Sequence, residues 1–117
     1  IIEEQRAVEQ IDEILAVPGI DVVFIGVNDL SYSMGIGGQM DSPKFKEAVA
    51  KVVAAAKKRN LPVGRPGGSP EQVAQFQKEG FTFFQGPSDL VLMGSGGRTL
   101  LQPMGKTGRD PKSQPIY

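Results

Sequence analysis

Residues 20–31, IDVVFIGVNDLS, are the stretch from which the fold can be predicted. The run over 20–25 is apolar apart from one aspartate and is rich in β-branched and aromatic residues, and Gly26 ends it. A short apolar run bounded by turn residues indicates a strand buried on both faces, as in parallel sheets. Asp29 follows, where α/β folds carry their chemistry, although an aspartate here could equally cap a turn.

A second carboxylate closes the apolar start of the chain, because Glu3 directly follows Ile1 and Ile2. Consecutive parallel strands lie ~4.8 Å apart, so acids at their carboxyl ends can share one ion. Two carboxylates together with water and substrate oxygens suit Mg²⁺ or Mn²⁺. Glu3 and Asp29 are therefore candidate metal ligands, although acids at strand ends are also common by chance.

Composition excludes several classes of function. The 117 residues suffice for one small domain, and 13 basic residues balance 13 acidic ones, with no basic patch for nucleic acid and no charge run for a membrane surface. Without cysteine there are no disulfides or thiolate metal sites, and we expect a cytoplasmic protein. Without histidine, proton transfer near neutral pH needs carboxylates, metal-bound water or groups from outside this chain.

Hydrophobic spacing and turn residues predict the order (β)α-βα-βα-β(α). The predicted strands are the start at 1–2 and the runs 20–25, 61–65 and 81–85; the predicted helices are 4–15, 43–59, 70–79 and 90–93, with a loop over 31–42. Ser42 and Ser69 are predicted N-caps, the latter in a capping box with Gln72. This order is that of an α/β fold with a parallel sheet, and both an open doubly wound sheet and a piece of a (β/α)8 barrel fit it.

Glycine-rich loops invite a ligand-binding interpretation. The glycines at 35–38 and 94–97 match neither a P-loop nor a dinucleotide fingerprint. The turn at 66–68 follows a strand and precedes a capped helix, where small residues either admit a ligand to the backbone or simply make a tight turn. Residues 94–117 form a Gly/Pro-rich, polar tail that we expect to be flexible or docked against a partner, apart from the main unit at 1–93.

Several segments resemble the C-terminal half of the HpcH/HpaI aldolase family: IEE at 2–4, EQIDEILAVPGIDVVFIGVNDLS at 9–31, LPVG at 61–64 and GFTFF at 80–84, followed by SDL. Fungal macrophomate synthase is a further candidate relative. The resemblance covers roughly residues 1–93. It implies the C-terminal half of a (β/α)8 TIM barrel and metal-dependent cleavage of a 4-hydroxy-2-oxo acid to pyruvate and an aldehyde.

The resemblance also implies a site. Glu3 and Asp29 fall on the metal-ligand positions, for Mg²⁺, Mn²⁺ or Co²⁺, where the ion would stabilise an enolate. The pyruvate carboxylate would be held by the backbone of Gly26, Val27, Asn28 and Asp29, with Val27 where the family usually has proline. Pro66 and Gly67 fall in the loop that shapes the aldehyde pocket. The family's keto-polarising arginine and its His-Asp pair belong to the first half of the barrel and have no counterpart here.

Two other functions stay open: a CoA-ester lyase of the citrate-lyase branch, and a non-catalytic scaffold or interaction protein. The expected partners are a small oxo acid, the N-terminal half of the barrel and further copies in a homo-oligomer. Strands with free edges pair readily with other chains. We therefore expect residues 1–117 alone to be inactive and to dimerise or aggregate through exposed edges at Ile1-Ile2 and 81–84.

Overall fold

The computed structural model of the chain describes residues 1–105. The part of the predicted tail from 106 to 117 lies outside the described residues. The chain divides into two units, one over Ile1–Gly86 and one from Pro87 onward. The expected separation of a main unit at 1–93 from a partner-docked or flexible tail stays a prediction.

The first unit contains a parallel sheet of three strands, β1 (Val23–Phe24), β2 (Val63–Pro66) and β3 (Phe83–Gln85), in the order β1-β2-β3. Ile2 adds one parallel bridge to Ile25 on the outer side of β1. The predicted α/β class with a parallel sheet is thus confirmed. The strands are shorter than predicted, and β1 pairs with β2 through only two residues, Val23 with Val63 and Phe24 with Gly64.

Five helices accompany the sheet in this unit: α1 (Gln5–Glu9), α2 (Ile11–Ile14), α3 (Val27–Ser33), α4 (Pro43–Lys58) and α5 (Pro70–Lys78). The single helix predicted over 4–15 is interrupted at Gln10, which has φ −97° and ψ 18°. The apolar residues of this segment nevertheless keep helical spacing and face the core, because Val8, Ile11 and Leu15 are all buried.

Helix α3 was not predicted, and the assignment of 31–33 to a loop is wrong. The helical signal is present in the sequence, because the buried residues Val27, Leu30, Ser31 and Met34 follow the spacing i, i+3, i+4, i+7. The polar pair Asn28-Asp29 and the glycines after Met34 obscured that period.

The predicted caps of α4 and α5 are confirmed. The Ser42 hydroxyl accepts the Phe45 N–H at 3.3 Å, ahead of a proline in the first turn. At the start of α5, Ser69 accepts the Gln72 N–H and the Gln72 side chain accepts the Ser69 N–H at 3.1 Å. Asn60 closes α4 with a positive φ of 56°, a conformation that asparagine tolerates better than most residues.

The core lies between the helices and one face of the sheet. Its fully buried members include Ile11, Ile25, Leu30, Val52 and Phe81. The exposed edges predicted from sequence are only partly correct. Ile1 is 80% exposed, but Ile2 is buried against Ile25 and Phe81 is buried in the core.

The opposite face of the sheet carries two aromatic rings. Phe24 and Phe83 meet edge to face with ring centroids 6.1 Å apart, and Phe83 is 48% exposed. Gly64 lies between them on β2. A Cβ built on Gly64 would lie 2.6 Å from Cδ1 of Phe83 and 2.8 Å from Cδ2 of Phe24. The aromatic contact therefore requires a residue without a side chain at this position.

The second unit begins with α6 (Asp89–Leu101), which runs directly into a 3-10 turn over Gln102–Met104. The Ser88 hydroxyl caps α6 by accepting the Val91 N–H at 3.4 Å. The prediction that helical order ends at 93 is wrong, although each helical glycine at 94–97 costs about 1 kcal/mol relative to alanine. Within residues 1–105, no helix combines the length and the apolar character needed to cross a membrane.

Replacing Gly64 with alanine should destabilise the first unit, because the new methyl group would displace two packed rings. We expect the free energy of unfolding to fall by about 1–3 kcal/mol, measured by urea denaturation. Gly86→Ala is the matched control, because a Cβ there meets nothing within 4 Å. Equal stability of the two variants would contradict the packing described for Gly64.

Candidate active site

A single backbone bridge brings the start of the chain to the carboxyl end of β1. The Ile2 N–H donates to Phe24 O at 2.7 Å, and the Gly26 N–H donates to Ile2 O at 3.0 Å. Glu3 therefore leaves the bridge beside Gly26. A Cβ built on Gly26 would lie 2.6 Å from Cγ and 2.9 Å from Oε1 of Glu3. Because the φ of Gly26 is an ordinary −78°, glycine is needed here for space rather than for backbone freedom.

A second contact fixes the segment that carries Glu3. The Gln5 N–H donates to the Ser33 hydroxyl at 3.0 Å, at the far end of α3. The chain from Ile2 to Gln5 is thus attached on one side to the residue before α3 and on the other to its last turn. The Glu3 side chain consequently lies against Gly26, the residue that precedes α3.

Asp29 lies in that first turn, where the helix dipole favours a negative charge. The first bond of the helix runs from the Leu30 N–H to Gly26 O at 2.9 Å. The N–H groups of residues 27–29 precede that bond and therefore have no acceptor within the helix. Of the predicted carboxylate-binding residues, Val27 is buried, Asn28 and Asp29 are exposed, and Gly26 has already given its N–H to Ile2.

Pro66 is the last residue of the neighbouring strand β2, and Gly67 follows it, so both lie at the carboxyl end of the sheet, as Gly26 does. The Gly67 N–H completes the ladder by donating to Gln85 O at 2.9 Å. A Cβ on Gly67 would lie 3.3 Å from Cγ2 of Val73, so the turn packs closely against α5. The structure thus brings Glu3 and Gly26 into contact. Pro66 and Gly67 lie at the carboxyl end of β2, the strand that pairs with β1.

The donor set fits a hard divalent ion. Glu3 and Asp29 are exposed carboxylates, and residues 1–105 hold no cluster of three or more His, Cys, Asp or Glu side chains able to form a complete metal cage. Mg²⁺ and Mn²⁺ are commonly held by one or two carboxylates and complete their coordination with water and substrate. The Glu3 side chain fills the space over Gly26 and would supply one such carboxylate.

Ser31 is a positioning residue that the sequence analysis missed. Its side chain is fully buried; the hydroxyl donates to Asn28 O at 2.7 Å and accepts the Gly38 N–H at 2.9 Å. It thereby attaches the loop after α3 to the first turn that carries Asn28 and Asp29. The i, i+3, i+4 spacing with Val27 and Leu30 was the available signal.

Comparison with known proteins identifies the family. Residues 1–95 match the family model described as HpcH/HpaI aldolase/citrate lyase. The chain belongs to this family. The resemblance noted in the sequence is therefore confirmed.

The proteins to which the chain is similar include aldolases. A 2-dehydro-3,6-dideoxy-6-sulfogluconate aldolase of Pseudomonas putida is 34% identical over 100 residues, which are 86% of this chain and 39% of that enzyme. The crystal structure of an HpcH/HpaI aldolase from Desulfitobacterium hafniense DCB-2 superimposes with a TM-score of 0.75 at 30% identity, over 97% of this chain and 43% of that one. The chain spans about two fifths of the length of these relatives.

Macrophomate synthase is a structural neighbour as well. It superimposes with a TM-score of 0.71 over 89% of this chain and 37% of its own, at 24% identity. At that identity the likeness concerns the fold alone.

Replacing Ser31 with alanine should loosen the loop after α3, because the Asn28 carbonyl and the Gly38 N–H both lose a buried partner. We expect a loss of about 1–3 kcal/mol in unfolding free energy and faster hydrogen exchange at the Gly38 amide. Ser33→Ala is the comparison variant, since its exposed hydroxyl leaves the Gln5 N–H accessible to water. Unchanged exchange at Gly38 in Ser31→Ala would contradict this role.

Proposed function

We propose that this chain is the C-terminal half of a (β/α)8 barrel in a carbon–carbon lyase of the class II, divalent-metal-dependent type. The proposed reaction is the reversible aldol cleavage of a 4-hydroxy-2-oxo acid to pyruvate and an aldehyde. The observation that carries the proposal is the position of Glu3, packed over Gly26 at the start of the helix whose first turn contains Asp29.

Membership of an aldolase/lyase family supports the type of chemistry. The aldolase of Pseudomonas putida acts, by its name, on a dehydro sugar acid, and the substrate class proposed here is of the same general kind. Two carboxylates at the carboxyl ends of neighbouring strands would serve equally in a non-catalytic protein, but their position beside a helix start with free N–H groups favours catalysis.

The uncovered face of the sheet supports the half-barrel. Parallel sheets are normally covered on both faces, yet Phe83 on the face away from the helices is 48% exposed. In a closed barrel, side chains from further strands would fill the space above Phe24 and Phe83. The remaining barrel strands, and further copies of the protein in a homo-oligomer, are therefore the partners we propose.

In this mechanism Glu3 and Asp29 would hold Mg²⁺ or Mn²⁺, with Co²⁺ as an alternative. The ion would supply positive charge opposite the negative charge that develops on the substrate's 2-oxo oxygen. The N–H groups of residues 27–29 would donate to the substrate carboxylate, an arrangement that the helix dipole assists. Pro66 and Gly67 would border the aldehyde portion without adding bulk.

The proposed cleavage breaks the C3–C4 bond. The 4-hydroxyl group loses its proton as the aldehyde forms, and C3 gains a proton as pyruvate forms. The chain has no histidine, and the Glu3 and Asp29 carboxylates are assigned to the metal. The proton donor and acceptor are therefore proposed to lie in the first half of the barrel, together with an arginine that polarises the keto oxygen.

The test is pyruvate release from a 4-hydroxy-2-oxo acid by the full-length protein, followed with a lactate dehydrogenase coupled assay. We expect activity to stop on addition of EDTA and to return with Mn²⁺. Asp29→Asn should lower kcat/KM by about a hundredfold or more, because an anionic donor is lost while the shape is kept. Asp21→Asn, which alters an exposed acid before β1, is the control and should retain activity.

Three outcomes would contradict the proposal. Activity that survives EDTA would exclude an essential metal, and trapping of the substrate by borohydride would indicate a lysine Schiff base. Cleavage of a CoA ester in place of the oxo acid would favour the citrate-lyase branch of the family.

A further inference from the structure

A second polar feature lies on the helix side of the sheet, away from the candidate active site. Arg65 on β2 is only 9% exposed. Its Cζ lies 3.7 Å from the ring centroid of Phe76 on α5 and 5.2 Å from that of Phe81. The guanidinium therefore lies over the Phe76 ring and near the Phe81 ring, within the distance of a cation–π contact.

The charge of Arg65 has no close anionic partner within residues 1–105. Its Nε is buried without a hydrogen-bond acceptor, and the single ion pair of this region joins Lys46 to Asp41. Burial lowers the pKa of Arg65, and the negative charge of Glu79 acts in the opposite direction. Glu79 does not close a salt bridge, however; its Oε1 accepts from the Gln75 side chain at 3.2 Å. A buried, unpaired charge is costly, so an added anion would lower the free energy of this site.

Arg65 forms part of the wall of a groove between α4 and α5 with a volume of about 620 Å³. Apolar side chains, among them Phe45, Val49 and Val53, line the α4 side. Such a volume suits a small organic molecule. None of the candidate active-site residues borders the groove, so it is separate from the edge that carries Glu3 and Asp29.

We propose that this groove binds a small organic monocarboxylate, with its carboxylate on the Arg65 guanidinium and its apolar body against α4. One unpaired positive charge calls for one negative charge, and a guanidinium edge matches the two oxygens of a carboxylate. Lys46 also lines the groove but is paired with Asp41 at 3.4 Å, so the uncompensated Glu79 is the charge that would repel a doubly charged phosphate. The apolar wall favours a hydrocarbon body over a fully polar anion.

The experiment is calorimetric titration of the full-length protein with sodium benzoate, and separately with benzyl alcohol and inorganic phosphate. We expect one benzoate to bind per chain. The neutral alcohol and phosphate should each bind at least about tenfold more weakly than benzoate, since a charged hydrogen-bonded contact is worth about that factor. Asp29→Asn should leave benzoate affinity unchanged, which separates this groove from the proposed metal site.

Three variants test the role of the charge. Arg65→Met keeps a long side chain against Phe76 and should abolish benzoate binding. Glu79→Gln removes a nearby negative charge and should tighten binding about threefold, whereas Glu71→Gln, an exposed change on the same helix, should not. If Arg65→Met does not fold, the Glu79 and Glu71 variants still decide the question.

Absence of benzoate binding to the wild-type protein would overturn the proposal, as would tighter binding of phosphate than of benzoate. Equal affinity of the Glu79→Gln and Glu71→Gln variants would overturn it too, because Arg65 would then not be the group that meets the ligand. Failure of the aldolase assay with benzoate binding intact would contradict the proposed function alone.

Discussion

The candidate site depends on one backbone bridge, in which Ile2 exchanges hydrogen bonds with the chain on either side of Ile25. The bond from the Gly26 N–H to Ile2 O brings Glu3 to the residue that precedes α3. Without that bridge, the exposed Glu3 would have no fixed relation to the segment that contains Asp29. The Gln5 contact to Ser33 reinforces the arrangement from the other end of the helix.

Glycine at two positions makes the surrounding packing feasible. Gly26 leaves room for the Glu3 side chain, and Gly64 leaves room for the contact between Phe24 and Phe83. The first belongs to the polar edge of the sheet and the second to its uncovered aromatic face. On the helix side, Arg65 on β2 is buried and introduces a positive charge. The same side chain forms part of the wall of the groove between α4 and α5.

Much of the fold could be predicted from local signals. Ser42, and Ser69 with Gln72, each act through a few neighbouring residues, and the structure has these caps as predicted. Helix α3 was missed because polar residues and glycines interrupt its apolar period, and Ser31 was missed with it. The pairing of Ile2 with Ile25, the contact of Glu3 with Gly26 and the stacking of Arg65 depend on residues distant in sequence, which no local pattern specifies.

The central claim is that Glu3 and Asp29 bind the same divalent ion, and a double-mutant cycle on Mn²⁺ affinity tests it most directly. Calorimetry on the full-length wild type, Glu3→Gln, Asp29→Asn and the double variant provides the four affinities. We predict that each single change weakens binding by about tenfold or more and that the double change costs clearly less than the sum, because the second ligand has little left to bind. Strictly additive effects, or an unchanged affinity in either single variant, would contradict a shared ion.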